Sequence, residues 1–192
     1  MTTEEVQTIF ESCGALLNGH FLLTSGLHSS QYLEKFNVLQ QPDLTTKLCA
    51  EIARRFKHDR MQVVIGPATG GIILAHEVGR QLGVRAIFTE REAGVMALRR
   101  GFQIAEGECV LVVEDIVTTG GSVQEVLDIV RAAGAELVGV ALLCDRSSGR
   151  FRPAVRLEAL LTLDIASYEP DECPQCQAGE PLTERGSRHL NA

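Results

Sequence analysis

The sequence predicts an α/β fold, a mostly parallel sheet flanked by helices with a small N-terminal hood of strands and turns. From residue 60 onwards, short apolar runs alternate with helical segments, and strands joined by helices in this way pair in parallel. Two of these runs, 110–113 and 137–144, are apolar without alternation. That pattern is typical of strands buried on both faces, so helices are expected on both sides of the sheet.

The individual elements follow from capping and periodicity. Thr2 and Glu5 have capping-box spacing and begin a helix, whereas residues 19–35 read as short strands and turns. Pro42 begins a second helix, with apolar residues at four-residue spacing. Segment 90–101 has no clear periodicity and is interpreted as a mobile loop. Strands are expected over 63–65, 84–89, 110–113, 137–144 and 157–163, with helices ending near 82 and spanning 122–133.

Length and composition indicate a single domain over residues 1–192, divided into a hood (about 1–40), a core (about 42–165) and a polar tail (about 170–192). A net charge of −7 and 5% aromatic residues argue against a nucleic-acid partner. The N-terminus lacks an export signal, and no apolar run is long enough to predict a membrane partner. We therefore expect a cytoplasmic protein with reduced cysteines.

The tail contains a single C-x-x-C pair, Cys173 and Cys176. One pair supplies half of a tetrahedral zinc site, and His189 is a candidate third ligand. The interpretation favoured from sequence is a turn with incidental thiols and no protein metal site. His20 and His28 are interpreted as structural or surface groups.

The most informative segment runs from the strand at 110–113 through Glu114 and Asp115 into the turn T-T-G-G-S at 118–122. Glycine N–H groups, hydroxyls and a helix N-terminus suit a phosphate dianion, and two carboxylates beside it suit ribose hydroxyls. The alternative is a plain tight turn with Ser122 as a helix N-cap. The buried strand and the acidic pair favour phosphate binding, and no lysine follows in the pattern of a nucleoside-triphosphate loop.

The segment V-V-E-D-I-V-T-T-G-G-S resembles the phosphoribosyl diphosphate signature of type I phosphoribosyltransferases. G-H-F-L-L-T-S-G-L-H-S at 19–29, G-P-A-T-G-G-I at 66–72, L-R-R-G-F at 98–102 and C-D-R at 144–146 are similar to the orotate phosphoribosyltransferase family. The resemblance spans about residues 15–150. It implies the type I phosphoribosyltransferase fold and transfer of a phosphoribosyl group to orotate, giving orotidine 5′-phosphate and diphosphate.

The resemblance also implies roles for individual residues. Asp115 and Arg91 are the expected catalytic residues: the first stabilises positive charge on the sugar and the second contacts diphosphate. The expected orotate site consists of Tyr32, Thr118 and Arg146. The expected phosphoribosyl diphosphate site consists of Ala68, Thr69, Gly70, Gly71, Arg91, Glu114, Asp115, Ile116, Val117, Thr118, Thr119, Gly120, Gly121 and Ser122.

Simpler interpretations stand beside these roles. Arg146 could be an exposed strand-end charge paired with Asp145, Tyr32 could be ordinary packing, and 68–71 could be a plain turn between strand and helix. Arg99 and Arg100 are equally well explained as solvated loop charges.

Three departures from the family pattern bear on mechanism. Many members have lysine where Thr24 stands and within the turn at Thr69, and their loop carries lysine and histidine where 90–101 offers only arginines. Arginine neutralises diphosphate but is not a general acid at neutral pH.

The resemblance further implies Mg²⁺ held mainly by the substrate and a homodimer in which the loop closes over the neighbouring active site. The alternatives are a purine phosphoribosyltransferase and a non-catalytic regulator that senses phosphoribosyl diphosphate.

Overall fold

The computed structural model describes residues 1–23 and 25–184. Thr24 and His189, both considered above, lie outside that part of the chain. The helices are α1 (Thr3–Ser12), α2 (Phe36–Leu39), α3 (Pro42–Arg55), α4 (Gly70–Leu82), α5 (Gly121–Ala132) and α6 (Pro174–Gln177). The strands are β1 (Leu16–Leu22), β2 (His28–Leu33), β3 (Val63–Pro67), β4 (Arg85–Glu92), β5 (Val95–Leu98), β6 (Cys109–Val117), β7 (Glu136–Asp145), β8 (Leu157–Thr162), β9 (Ser167–Tyr168) and β10 (Thr183–Glu184).

The central sheet has six strands in the order β5-β4-β3-β6-β7-β8. Its strands pair in parallel from β4 to β8, and only β5 pairs antiparallel. This arrangement confirms the predicted sheet. Because β3 and β6 lie side by side in parallel, their carboxyl ends meet at one edge, where ligands bind in open α/β sheets.

Helices cover both faces of this sheet, as predicted. Alternate strand residues point to opposite faces, so β6 contributes Leu111 and Val113 to one core cluster and Val110 and Val112 to the other. Helices α1, α3 and α4 pack on the first face through Val6, Phe10, Leu48, Ile52, Leu74 and Val78. Helix α5 packs on the second through Val123, Val126, Leu127 and Val130.

The prediction of a loop over 90–101 is wrong. Strand β4 continues to Glu92 and turns back as β5, with Thr89 opposite Leu98 and Glu92 opposite Val95. The turn residues Ala93 and Gly94 both have positive φ, which matches the twist of a tight hairpin. The hairpin lies at the edge of the sheet, where both faces can contact water. Its strands therefore contain charged residues and lack the apolar pattern from which a strand is predicted.

A second, smaller sheet has the order β10-β1-β2-β9, and we call it the hood sheet. Strands β1 and β2 form an antiparallel hairpin, as the hood prediction required. The segment that follows β8 supplies both outer strands: β9 pairs with β2, and β10, in the tail, pairs in parallel with β1. Hood and tail therefore form one structural unit beside the core.

The sequence interpretation of Cys173 and Cys176 as incidental thiols in a turn did not take account of their neighbours in this arrangement. The same sheet brings them beside His20 and His28, which is the second pair of potential ligands that the sequence pattern lacked. None of the helices in the described residues is both long and apolar enough to span a membrane.

Candidate active site

The acidic pair stands at the carboxyl end of β6, where the strand leaves the core. Glu114 and Asp115 are buried, with 8% and 1% of their surface exposed. The backbone N–H of Asp115 donates to Glu114 Oε1 at 2.8 Å, and that of Ile116 donates to Asp115 Oδ1 at 2.6 Å. These bonds fix two carboxylates at the base of a cleft.

Burial and the neighbouring negative charge of Asp115 raise the pKa of Glu114 to about 8. The proton that Glu114 holds at neutral pH reduces repulsion between the two side chains. The hydrogen-bonding capacity of the pair therefore changes as the pH passes through about 8.

Lys35 is a site residue that the sequence reasoning missed. Its Nζ lies 3.0 Å from Oδ1 and 2.9 Å from Oδ2 of Asp115. It stands just after β2, in the short connection to α2, so the hood delivers this cation to the core. One signal was available: the chain has three lysines, and only Lys35 lies outside the stretch around α3.

The turn at 118–122 joins β6 to α5. Gly120 is the N-cap of α5 with φ 83°, and no side chain caps the helix among the described residues. A Cβ at Gly120 would overlap the ring of Phe151, so glycine is required for both reasons. The alternative that Ser122 caps this helix is wrong, and the first N–H groups of α5 are available to an anion.

The turn at 66–71 faces this region from β3. Ala68 and Thr69 are exposed and joined by a cis peptide bond, and Gly70 and Gly71 are buried at the start of α4. A Cβ at Gly70 would overlap the carboxylate of Asp115. Glycine therefore allows the two βα turns to approach each other closely.

The two turns and the acidic pair enclose one cleft of about 190 Å³. The structure thus brings together most of the predicted phosphoribosyl diphosphate site, and it adds Lys35. The cleft is lined by Lys35, Ala68, Thr69, Glu114, Asp115, Ile116, Val117, Thr118, Thr119, Gly120, Gly121, Ser122 and Val123.

Arg146 follows β7, and its backbone N–H donates to Val117 O at 2.8 Å, which fixes it beside the end of β6. Burial lowers the pKa of Arg146, and the nearby Cys144 and Tyr32 oppose that shift. Its Nε is buried without a hydrogen-bond partner in the described part of the chain. Asp145 accepts a hydrogen bond from the N–H of Ser147 instead of pairing with Arg146. The alternative that Arg146 is an exposed charge paired with Asp145 is therefore wrong.

Arg91 lies on the β4–β5 hairpin and does not line the cleft. Its guanidinium donates to Gly94 O at 2.7 Å and pairs with Glu125 of α5 at 3.0 Å. Arg99 and Arg100 pair with Glu92 and Glu90, respectively. All three arginines of 90–101 are therefore balanced by carboxylates.

Comparison with known proteins identifies the family. Residues 37–164 match the family model described as phosphoribosyl transferase domain. An orotate phosphoribosyltransferase from Desulforamulus reducens is 54% identical over 190 residues, covering 99% of this chain and 100% of the relative. The chain belongs to the orotate phosphoribosyltransferase family. Another orotate phosphoribosyltransferase, from Pelotomaculum thermopropionicum, is also 54% identical, with the same coverage of both chains.

A solved structure supports the same assignment at the level of the fold. The crystal structure of orotate phosphoribosyltransferase from Aeropyrum pernix matches with a TM-score of 0.72 and 26% identity, covering 82% of this chain and 93% of that chain. The predicted family, the type I phosphoribosyltransferase fold and the glycosyltransferase class are confirmed. The purine phosphoribosyltransferase alternative is not favoured.

In this orotate phosphoribosyltransferase family member, the groups facing the cleft have the chemistry of a magnesium site. Carboxylate and hydroxyl oxygens are ligands that Mg²⁺ accepts, usually together with substrate phosphates. Asp115 fits that requirement as a carboxylate on the protein side, and Glu114 fits it once it has released the proton that it holds at neutral pH. Lys35 already neutralises Asp115, so the protein offers little negative charge to hold Mg²⁺ by itself. These residues therefore fit an ion that the substrate supplies most of the ligands for.

Proposed function

We propose that the protein transfers the phosphoribosyl group of 5-phosphoribosyl 1-diphosphate to orotate, giving orotidine 5′-phosphate and diphosphate, a step of pyrimidine nucleotide synthesis. The observation that carries this proposal is the cleft itself. A carboxylate pair and an uncapped helix N-terminus share one concave surface, at a distance set by a single strand and turn. A sugar with a phosphate on its 5′ carbon offers hydroxyls to the acidic pair and an anion to the helix N-terminus.

The substrate would lie across the end of β6. Its 5-phosphate would accept hydrogen bonds from the turn at 118–122 and benefit from the positive end of α5. Its ribose hydroxyls would donate to Glu114 and Asp115. Its diphosphate would face the turn at 68–71, where small residues allow backbone N–H groups close to an anion.

Bond breaking would leave positive charge on the sugar ring. The bond from the anomeric carbon to the diphosphate oxygen breaks with its electron pair leaving on diphosphate, while a ring nitrogen of orotate forms the new bond and its proton passes to the departing diphosphate or to water. Asp115 would stabilise the oxocarbenium character of the transition state. Lys35, already in the cleft, would then help balance the charge of the departing diphosphate.

Orotate would bind where Arg146 stands. A half-buried guanidinium with an unpartnered Nε suits the carboxylate of orotate, which can accept two parallel hydrogen bonds. Tyr32 is close enough to raise the pKa of Arg146, against the effect of burial, and Thr118 lines the adjoining cleft. These three residues form the proposed orotate site.

Mg²⁺ would be held mainly by diphosphate and ribose oxygens, with Glu114 and Asp115 on the protein side. When bound, the ion neutralises charge on the leaving group.

Arg91 is the proposed diphosphate contact from the β4–β5 hairpin, acting across a homodimer in the active site of the neighbouring subunit. To contact diphosphate, the Arg91 guanidinium must break its ion pair with Glu125 and pair with the substrate instead. Because arginine keeps its proton, its role would be charge neutralisation rather than proton donation.

A mixing experiment tests this arrangement. Arg91→Ala and Asp115→Asn subunits are each expected to be inactive alone. Random reassortment would give mixed dimers in which one of two sites is intact, so about a quarter of wild-type activity should return. Failure to recover activity, with dimers present by light scattering, would place Arg91 in its own subunit's site.

The primary test is a spectrophotometric assay with orotate, phosphoribosyl diphosphate and Mg²⁺. Orotate consumption with release of diphosphate is expected, with loss in Asp115→Asn. Turnover with a purine base alone would replace the proposed substrate. Tight binding of phosphoribosyl diphosphate without any turnover would indicate a regulator. We further propose that the protein functions in the cytoplasm without nucleic-acid or membrane partners.

A further inference from the structure

Four side chains of types that ligate metals meet where the hood sheet contacts the tail, outside the cleft described above. His20 lies on β1 and His28 begins β2, whereas Cys173 precedes α6 and Cys176 lies within it, more than 140 residues later. One potential ligand atom from each lies within 4.8 Å of all the others. The orotate and diphosphate chemistry uses none of these residues.

Four separations between these atoms lie within about 0.3 Å of the edges of a tetrahedral zinc site. With Zn–N about 2.0–2.1 Å and Zn–S about 2.3 Å, the corners of a tetrahedron lie roughly 3.3–3.8 Å apart. The two nitrogens, His20 Nε2 and His28 Nδ1, are 3.0 Å apart. Sulfur-to-nitrogen separations are 3.4 Å from Cys173 to His20, 3.7 Å from Cys176 to His20 and 3.2 Å from Cys176 to His28.

One ligand is already oriented by an outer contact. His20 Nδ1 lies 3.0 Å from the carbonyl oxygen of Glu180, so Nδ1 carries the proton and Nε2 presents its lone pair to the cluster. Ligating histidines are typically held by such a bond through the second ring nitrogen. Glu180 belongs to the tail, so the orienting group and the cysteines come from the same segment.

Burial separates this cluster from an ordinary surface group. His20, His28 and Cys173 are 4%, 5% and 0% exposed, and Cys176 lies at the surface. A pair of buried imidazoles beside a buried thiol has few other polar partners, and the exposed thiol leaves a route for an ion to enter. With four protein ligands the coordination is complete, as in structural rather than catalytic zinc sites.

We propose that His20, His28, Cys173 and Cys176 bind one zinc ion that fastens the tail to the hood sheet. Mixed thiolate and imidazole ligands in tetrahedral geometry favour zinc over magnesium or calcium. The ion would connect the β1–β2 hairpin to α6, next to the short outer strands β9 and β10. Because β2 runs directly from His28 towards Lys35, the ion would also stabilise the segment that delivers Lys35. The proposal is independent of the transferase reaction.

The first experiment measures metal in the intact protein. Full-length protein produced in zinc-supplemented medium and dialysed without chelator is expected to contain one zinc per chain by plasma mass spectrometry. The Cys176→Ser variant is expected to lose it, and Cys13→Ser, which changes a cysteine outside the cluster, is expected to retain it. Metal-free wild-type protein, or equal zinc in wild type and Cys176→Ser, would overturn the proposal.

A second measurement remains informative if a variant folds poorly. Wild-type protein stripped of metal and given Co²⁺ should show thiolate charge-transfer absorption and the intense visible bands of tetrahedral cobalt, both of which added zinc removes. The melting temperature should rise on zinc addition in wild type and in Cys13→Ser but not in Cys176→Ser. A cobalt spectrum without these bands, or a Cys173–Cys176 disulfide in non-reduced protein by mass spectrometry, would contradict zinc binding.

Discussion

The Nζ of Lys35 lies about equally far from both carboxylate oxygens of Asp115, at 3.0 Å and 2.9 Å. This pair joins the hood to the strand that carries the predicted catalytic carboxylate. The ammonium of Lys35 also neutralises one of the two adjacent acidic residues at the base of the cleft, where Asp115 is 1% exposed. A substrate carrying diphosphate therefore meets a site that already contains one positive charge.

Replacing this cation should impair turnover more than folding. Lys35→Met is expected to reduce kcat/KM about 100-fold, because a preorganised charge is lost where diphosphate departs. Steady-state kinetics with varied phosphoribosyl diphosphate measure the effect. Lys47→Met, which changes an exposed lysine of α3, serves as the control. Wild-type kinetics in Lys35→Met would exclude a role for Lys35 in turnover, including one exerted through Asp115.

The close approach of the two βα turns makes Gly70 intolerant of any side chain. Gly70→Ala places a methyl group on the Asp115 carboxylate, and crowding of this kind costs about 1–3 kcal/mol of folding free energy. We expect a lower melting temperature and weaker binding of phosphoribosyl diphosphate by calorimetry. The stability control is Gly121→Ala, whose new Cβ meets nothing closer than Thr119 Oγ1 at 3.9 Å. An unchanged melting temperature in Gly70→Ala would show that the turns separate easily.

The buried Nε of Arg146, which has no hydrogen-bond partner in the described residues, predicts a selective defect. Arg146→Ala should raise the KM for orotate about 10–100-fold, since a hydrogen bond to a charged group contributes about 1.5–3 kcal/mol. The KM for phosphoribosyl diphosphate should change little. Arg146→Lys should recover only part of the loss because an ammonium lacks the planar fork. Arg152→Ala, an exposed arginine of the same loop, is the matched control. Equal defects for both substrates would indicate a structural role.

Stability of the ligand-free protein should depend on Glu114. Its folded pKa is raised to about 8 from an ordinary 4.5, so its contribution is fully present below pH 4.5 and is lost as the pH rises through 8. Glu114→Gln should remove this part of the alkaline loss, which denaturant unfolding between pH 6 and about 9 would measure. Glu106→Gln, an exposed position, is the control. Parallel pH profiles for wild type and Glu114→Gln would contradict the shift.

Local sequence pattern was sufficient to predict much of the fold and the proposed phosphate-binding turn at 118–122. The apolar run before Glu114 and the glycines at 120 and 121 fix strand, turn and helix within a few residues of one another, so sequence spacing becomes spatial spacing. The β4–β5 hairpin was missed because edge strands tolerate charge on both faces.

Long-range contacts were beyond local pattern. Lys35 meets Asp115 across 80 residues, and His20 meets Cys173 across 153. Only the pairing of β1 with β2, and of the hood sheet with the tail, brings these groups together. Neither contact leaves a periodic or capping signature at the positions involved.

The order of strands in the hood sheet has a consequence for synthesis on the ribosome. Strands β1 and β2 emerge early, but the partners on their outer edges, β9 and β10, are separated from them by the whole core. The nascent chain therefore carries an unfinished hairpin with open edges until residue 184 has been translated, and pairings of such sequence separation form slowly. Chains that stall or terminate early lack β9 and β10 and therefore leave both edges of the β1–β2 hairpin unpaired. Chaperones and proteases would recognise such truncated chains at this N-terminal hairpin.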